Sequence, residues 1–320
     1  VKTYPKRKRL FGWGGDGGSL LALDRVSFTV GEGELLGLVG ANGAGKTTLL
    51  HSLAALAYWD SGTISIDGVD ARSHPRSIRS SIGLSTVNGN FYGRLTVRDN
   101  LRFFGALYGL SGKRLDRRIA DVLEFVNLSD RIEYRYRTLS TGMRQRLTVS
   151  RALLPDPKVL LLDEPTRAVD PVNAQAMRHL IRHSLVGALG KTVILATNLL
   201  DEAWELCDRV AIMRAGHITA IAAPHVLQTQ HAASNGRFRI TVDRVPETLA
   251  AELRALPGLV DYQASEAEAG RRIDLEIAPL PHALTKVFKA IGDSGVDVLD
   301  FSTEKASPTA VFATYALPNQ

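Results

Sequence analysis

The sequence predicts an α/β domain built around a mostly parallel sheet, followed by a smaller α+β domain. Three observations carry this. Short continuous apolar runs at residues 34–39, 158–162, 192–197 and 209–213 alternate with longer amphipathic stretches. Runs of that kind are strands buried on both faces, as in parallel sheets. A glycine-rich loop follows the first of them directly and opens an amphipathic segment, which is the strand–loop–helix step of an α/β domain. Beyond residue 236 the order becomes strand, helix, strand, strand, helix, strand.

Taken along the chain, residues 5–19 are basic and then glycine-rich without periodicity, and they read as a loop. The basic run at 6–9 could touch lipid phosphates or nucleic acid, but such runs are more often a solvated loop. Residues 22–30 alternate apolar and polar like a half-exposed strand. A helix is expected from Thr47 to about Ala57. Residues 222–236 are polar, end in Asn235-Gly236, and read as a linker. After it come strands at 237–242, 259–264, 271–277 and 296–301, with helices at 247–256 and 282–291. Leu249, Leu253 and Leu256 share one face of the first helix; Leu284, Val287, Phe288 and Ile291 share one face of the second. This order is the ferredoxin-like split βαβ arrangement. The expected divisions are an N-terminal segment (1–19), the α/β domain (20–221), the linker (222–236) and a C-terminal accessory domain (237–320).

The 320 residues are 45% hydrophobic and 22% charged, which suits a folded globular chain and argues against disorder. A net charge of +6 fits a chain that meets phosphate or an anionic membrane surface, without choosing between them. Cys207 is the single cysteine, so an intrachain disulfide and a cysteine-rich metal site are excluded, which favours a reducing compartment. No apolar run approaches the roughly 18 residues that cross a bilayer, and no signal peptide is legible. Service to a membrane is therefore expected from outside the bilayer. The first residue is Val1 rather than Met, which leaves room for a leader ahead of it.

The chemistry starts at Gly40-Ala41-Asn42-Gly43-Ala44-Gly45-Lys46-Thr47-Thr48, which satisfies the G-x-x-x-x-G-K-[ST] spacing of a phosphate loop. Glycines let successive N–H groups turn toward phosphate oxygens, and the helix behind offers its positive end to the same anion. Lys46 is the candidate for the β- and γ-phosphates and the Thr47 hydroxyl for Mg²⁺. A second pattern ends the run at 159–162 in Asp163-Glu164-Pro165. Asp163 is placed to hold Mg²⁺ and Glu164 to polarise an attacking water. Taken alone, that tripeptide could be a turn.

Between those patterns lies Leu139-Ser140-Thr141-Gly142-Met143-Arg144-Gln145-Arg146. Alone, such a run is commonly only a helix cap. In this position it resembles the signature motif of ABC ATPases, with Ser140 and Gly142 at a helix N-terminus that has spare N–H donors. The stretch from Pro165 through Asp170 to Pro171 resembles the D-loop of that family, and residues 201–210 resemble the segment after its switch residue. Residues 20–220 thus resemble a whole ABC nucleotide-binding domain. Residues 95–101 and 103–109 resemble the helical subdomain, about 90–140, of exporter ATPases that serve a separately encoded permease. Residues 237–320, with the tail at 307–315, resemble the small C-terminal domain of drug-efflux members. Val1-Lys2-Thr3-Tyr4 resembles the segment whose aromatic residue stacks on adenine, which makes Tyr4 the candidate, with Phe11 and Trp13 as competitors.

Two positions depart from the family pattern. Asn198 stands where a histidine normally contacts the γ-phosphate; its amide can donate a hydrogen bond but is shorter and carries no charge. Val87 stands where a glutamine normally meets Mg²⁺ and water, with Asn88 beside it as a stand-in. Losing one such donor typically costs about 10²–10³ in rate, so a competent but slowed ATPase is expected, unless local contacts compensate. The resemblance implies ATP and Mg²⁺ as cofactors, a head-to-tail pair of ATPase domains as a homodimer, an integral-membrane permease, and a peripheral place at the cytoplasmic face. No nucleic-acid partner is expected. Phe91 and Tyr92 are candidates for the groove that receives the permease, or for ordinary core residues. Two alternatives stay open: a soluble ABC ATPase of ribosomes or DNA, and a low-activity ATP-sensing regulatory subunit. The first usually carries two nucleotide domains or an inserted coiled coil, and neither is seen in this sequence. Measured turnover separates the second.

Overall fold

Two short strands, β1 (Lys2–Pro5) and β2 (Ser19–Leu23), pair antiparallel with Tyr4 opposite Leu20. The computed structural model describes residues 1–5, 19–86, 89–234, 236–267, 270–277, 283–303 and 307–316. They divide into two units, essentially Val1–Ala223 and Pro224–Thr314.

In the first unit the apolar run at 35–40 forms β3 (Leu35–Gly40), all six of whose residues are buried. The chain then passes through the glycine loop into α1 (Lys46–Leu53), and through β4 (Ser65–Ile66), β5 (Val69–Asp70) and α2 (Pro75–Ser81) to β6 (Ile82–Ser85). Helices α3 (Val97–Leu107), α4 (Gly112–Phe125) and α5 (Thr141–Leu153) lead to β7 (Val159–Asp163). Next come α6 (Pro171–His179), continued by a π-helical stretch over Leu180–Ala188, and β8 (Thr192–Thr197). Helix α7 (Leu200–Leu206) and the strands β9 (Arg209–Arg214) and β10 (His217–Ala222) complete the unit. The sheet runs β10-β9-β3-β8-β7-β6 and is parallel except for β9–β10. Leu36, Leu38, Leu49, Leu50, Leu161 and Ile194 pack in one core, each contributing about 2 kcal/mol by burial.

Two features of the parallel sheet position the site. β8 lies between β3 and β7, and the register sets Thr197 opposite Val39 and Ala196 opposite Asp163. Three strands therefore end side by side, with the loop, Asn198 and Glu164 just beyond them. Carboxyl ends of parallel strands are where such sheets bind ligands. Residues 92–96, just ahead of α3, are fixed by Asn100, which is fully buried. It accepts from the Tyr92 N–H at 2.8 Å and donates to the Tyr92 and Thr96 carbonyls at 3.1 and 2.8 Å. Thr96 caps α3 in a reciprocal pair with Asp99.

Helix α8 (Pro224–Ser234) opens the second unit, followed by β11 (Gly236–Val242), α9 (Glu247–Arg254), β12 (Leu259–Ala267), β13 (Gly270–Ile277), α10 (Ala283–Asp293) and β14 (Val298–Thr303). Helix α11 (Pro308–Ala316) follows in sequence. The sheet order β12-β13-β11-β14, antiparallel at every pairing, is that of a ferredoxin-like fold. Leu249, Leu253, Val287 and Ile291 fill its core with Ile240, Val242, Ile273 and Leu275.

Three expectations need correcting. Residues 224–234 form a helix instead of a linker: Pro224 suits a first helical turn and the Leu, Gln and Ala that follow are good helix formers. The strand expected over 22–30 stops at Leu23. Arg25 adopts a φ of 47°, and Val26, Phe28 and Val30 pack against the core with no ladder partner among the described residues, so their alternation reports burial. Phe288 is 43% exposed and rests on Phe301, with ring centroids 5.0 Å apart, instead of joining the buried face of α10.

Candidate nucleotide site

The loop after β3 is shaped by close packing. Gly45, the N-cap of α1, has a φ of 105°, and a Cβ there would lie 2.7 Å from the Ala22 carbonyl oxygen. Only glycine fits, and the approach seats the loop against β2, whose partner β1 carries Tyr4. Gly45 offers no side-chain cap to α1, so its first amides keep donors for an anion. Ala41, Asn42 and Gly43 are exposed at the tip, while Ala44 is buried beneath it and Thr48 is half-buried. Lys46 is 7% exposed and folds back over the loop, donating from Nζ to the Gly40 and Ala41 carbonyls at 2.5 and 3.3 Å. Burial pulls the Lys46 ammonium below its ordinary pKa, against the opposing charges of Glu164 and Asp163.

The Thr47 hydroxyl donates to Asp163 Oδ2 at 3.1 Å across 116 positions of sequence. Burial raises the Asp163 carboxyl above its ordinary range; the Thr47 bond works against this, and the neighbouring Glu164 charge adds to it. Two hard oxygen donors in contact, one a carboxylate short of positive charge, fit Mg²⁺. Glu164 is 7% exposed, has a left-handed φ of 47°, and donates from its N–H to the Ala196 carbonyl at 2.8 Å. The structure thus brings Lys46, Thr47, Asp163 and Glu164 together.

Among the described residues, the other expected site residues make no side-chain hydrogen bond to these four. Asn198 is exposed just past β8. Tyr4 is 36% exposed, with the Lys2 ammonium 4.7 Å from its ring centroid. Asn88, Val87, Phe11 and Trp13 lie outside the described residues. Ser140 is the exposed N-cap of α5, its Oγ accepting from the Met143 N–H at 3.3 Å. Among the described residues no hydrogen bond joins Ser140 or Gly142 to the phosphate loop. A Cβ on Gly142 would sit 3.1 Å from that of Asn173. Asp170 caps α6 by accepting from the Asn173 N–H at 3.1 Å and side-chain amide at 2.8 Å, which lowers its carboxyl pKa.

Sequence reasoning missed three residues on the segments that carry these candidates. Arg167 Nη1 donates to Glu164 Oε2 at 2.9 Å. Arg146 donates to Asn173 Oδ1 at 2.8 Å and so ties the start of α5 to that of α6. Glu202, 3% exposed, accepts from the Thr166 hydroxyl at 2.6 Å. No spacing rule marks any of them; the one available signal was an acid such as Glu202 inside an otherwise apolar helix face.

Residues 23–167 match the model of the ABC transporter family. The Nod factor export ATP-binding protein I of Rhizobium sp. (strain N33) is 40% identical over 216 residues, covering 67% of this chain and 70% of that protein. Its counterpart in Burkholderia lata is 41% identical over 210 residues, covering 66% and 68%. Among solved structures, cbiO1 from Clostridium perfringens, part of the ABC transporter complex cbiONQ, is 26% identical. It has a TM-score of 0.60 and covers 68% of this chain and 86% of its own. The ATP-binding cassette MJ0796, in a dimeric post-hydrolysis state bound to ADP and Pi, shares the fold with a TM-score of 0.61 at 24% identity. That match covers 70% of this chain and 95% of that one.

Proposed function

This chain belongs to the ABC transporter ATPase family, and from that premise we propose that it hydrolyses ATP as one of two such subunits on a separate exporter permease. The observation that carries the reading is a site left incomplete. Lys46, Thr47, Asp163 and Glu164 converge at one end of the sheet, whereas the exposed Ser140 is bonded within its own helix. A second chain, placed head to tail, would offer its Ser140 and Gly142 to the ATP held by the first. The names of the Nod factor export relatives support export as the direction. No helix among the described residues is long and apolar enough to cross a membrane; the place at the cytoplasmic face is proposed from the family alone.

In the proposed reaction the loop amides and Lys46 hold the phosphates, and Lys46 exchanges its two carbonyl partners for phosphate oxygens. Thr47 and Asp163 would hold Mg²⁺, whose positive charge would offset the negative charge developing on the phosphate. Glu164 takes a proton from water as the water oxygen bonds to the γ-phosphorus. The bond to the bridging oxygen breaks, and its electron pair leaves with ADP. Tyr4, on the hairpin beside the loop, is the platform for adenine.

Lys46→Ala should lose most Mg-ATP binding by isothermal titration. Glu164→Gln should keep binding, lose most turnover and collect as an ATP-bound dimer on size exclusion, because an amide is too weak a base. Unchanged affinity in the first variant, or near-normal turnover in the second, would show the site to be misassigned.

A further inference from the structure

Glu164 is held by more than its strand. Its left-handed backbone turns the chain so that the Arg167 N–H donates to the Glu164 carbonyl at 3.1 Å. That turn lays the Arg167 guanidinium on the Glu164 carboxylate, with Nη1 2.9 Å from Oε2. The Glu164 side chain is 9% exposed and that of Arg167 57%, so a solvent-facing cation reaches down onto a nearly enclosed anion. Lys46, the other nearby cation, spends its ammonium on the Gly40 and Ala41 carbonyls. Among the described residues, Arg167 alone is hydrogen-bonded to that carboxylate. The adjacent Asp163 charge repels it.

We propose that Arg167 is a positioning residue for hydrolysis, holding Oε2 of Glu164 so that Oε1 is the oxygen presented to water. This rests on Glu164 being the base. A glutamate side chain turns about three bonds, and a carboxylate with neither oxygen fixed offers its lone pair over a wide arc. A charge-assisted hydrogen bond to one oxygen removes most of that freedom. Misplacing a reacting group by about 1 Å can cost about a hundredfold in rate. Because Arg167 is exposed, its removal leaves the core packing untouched.

Turnover and KM for ATP of the full chain are compared across wild type, Arg167→Ala, Arg167→Lys, Glu164→Gln and the Arg167→Ala/Glu164→Gln double variant. Arg167→Ala should lower kcat by about tenfold to a hundredfold, with KM within about twofold of wild type. Arg167→Lys should recover part of the loss, since an ammonium can still make one charged bond. In the Glu164→Gln background the Arg167 change should cost nothing further. A kcat for Arg167→Ala equal to or above wild type overturns the proposal, as does an equal loss in both backgrounds. Wild-type turnover in Glu164→Gln instead sinks the base assignment, and the proposal with it. That outcome is read from a different variant than a failure of Arg167 alone.

Discussion

Position 198 carries a neutral amide, exposed and immediately beyond β8, level with the phosphate loop. An imidazole there would reach farther and could carry charge. Asn198→His should therefore raise the ATPase rate several-fold; an equal or lower rate would mean that the surroundings are built for asparagine. Glu202 makes a different residue-scale case. Burial pushes its carboxyl above the ordinary value of 4.5, against the Thr166 and Thr197 hydroxyls and Arg178, and with Glu205 adding to the rise. A raised acid pKa means that the folded chain binds the extra proton. Stability then falls as pH climbs from 4.5 through the shifted value and is level above it. Glu202→Gln keeps an acceptor for Thr166 and has no charge to bury. It should melt above wild type at neutral pH, with the gap closing in acid, as scanning calorimetry at several pH values would show.

Among the elements, the 89–95 segment divides the roles of two neighbouring aromatics. Phe91 is half-buried, stacked on Tyr136 at 5.0 Å and edge-on to Phe104 at 5.4 Å. The buried Arg151 guanidinium stands 5.3 Å from its ring and donates to the Gly89 carbonyl. Tyr92 is 49% exposed and touches Phe103 edge-on. Phe91→Ala should therefore lower the melting temperature, by about 3 kcal/mol of stability. Tyr92→Ala should leave melting and ATP binding alone yet weaken assembly with the proposed permease. Equal melting losses in both would place Tyr92 in the core. Most of this architecture was legible in advance because buried parallel strands are continuous apolar runs and the phosphate loop is contiguous in sequence. The split between Phe91 and Tyr92 was not, since it depends on Asn100 and Arg151 reaching back from α3 and α5. The pairing of Arg167 with Glu164 was hidden for a similar reason: it follows from a left-handed backbone angle that no pattern of residue types announces. Helix α8 was hidden by its polarity, because composition alone does not separate a surface helix from a linker.

For the molecule as a whole, the contact between the starts of α5 and α6 has the widest reach. Gly142 abuts Asn173, which also bonds Arg146 and Asp170. In the proposed head-to-tail pair, Ser140 and Gly142 would serve the neighbour's ATP, whereas Asp170 lies six residues after the chain's own Glu164. On that proposal one asparagine would bridge the ends of two different reaction centres within a single subunit. If that contact couples the two centres, filling one should shift the other, and ATP saturation of turnover is expected to be cooperative, with a Hill coefficient above one. Asn173→Ala cuts the bridge while leaving both sets of catalytic groups intact. It should bring the Hill coefficient toward one with little change in half-saturation, so that two engines expected to fire in concert would run as independent machines.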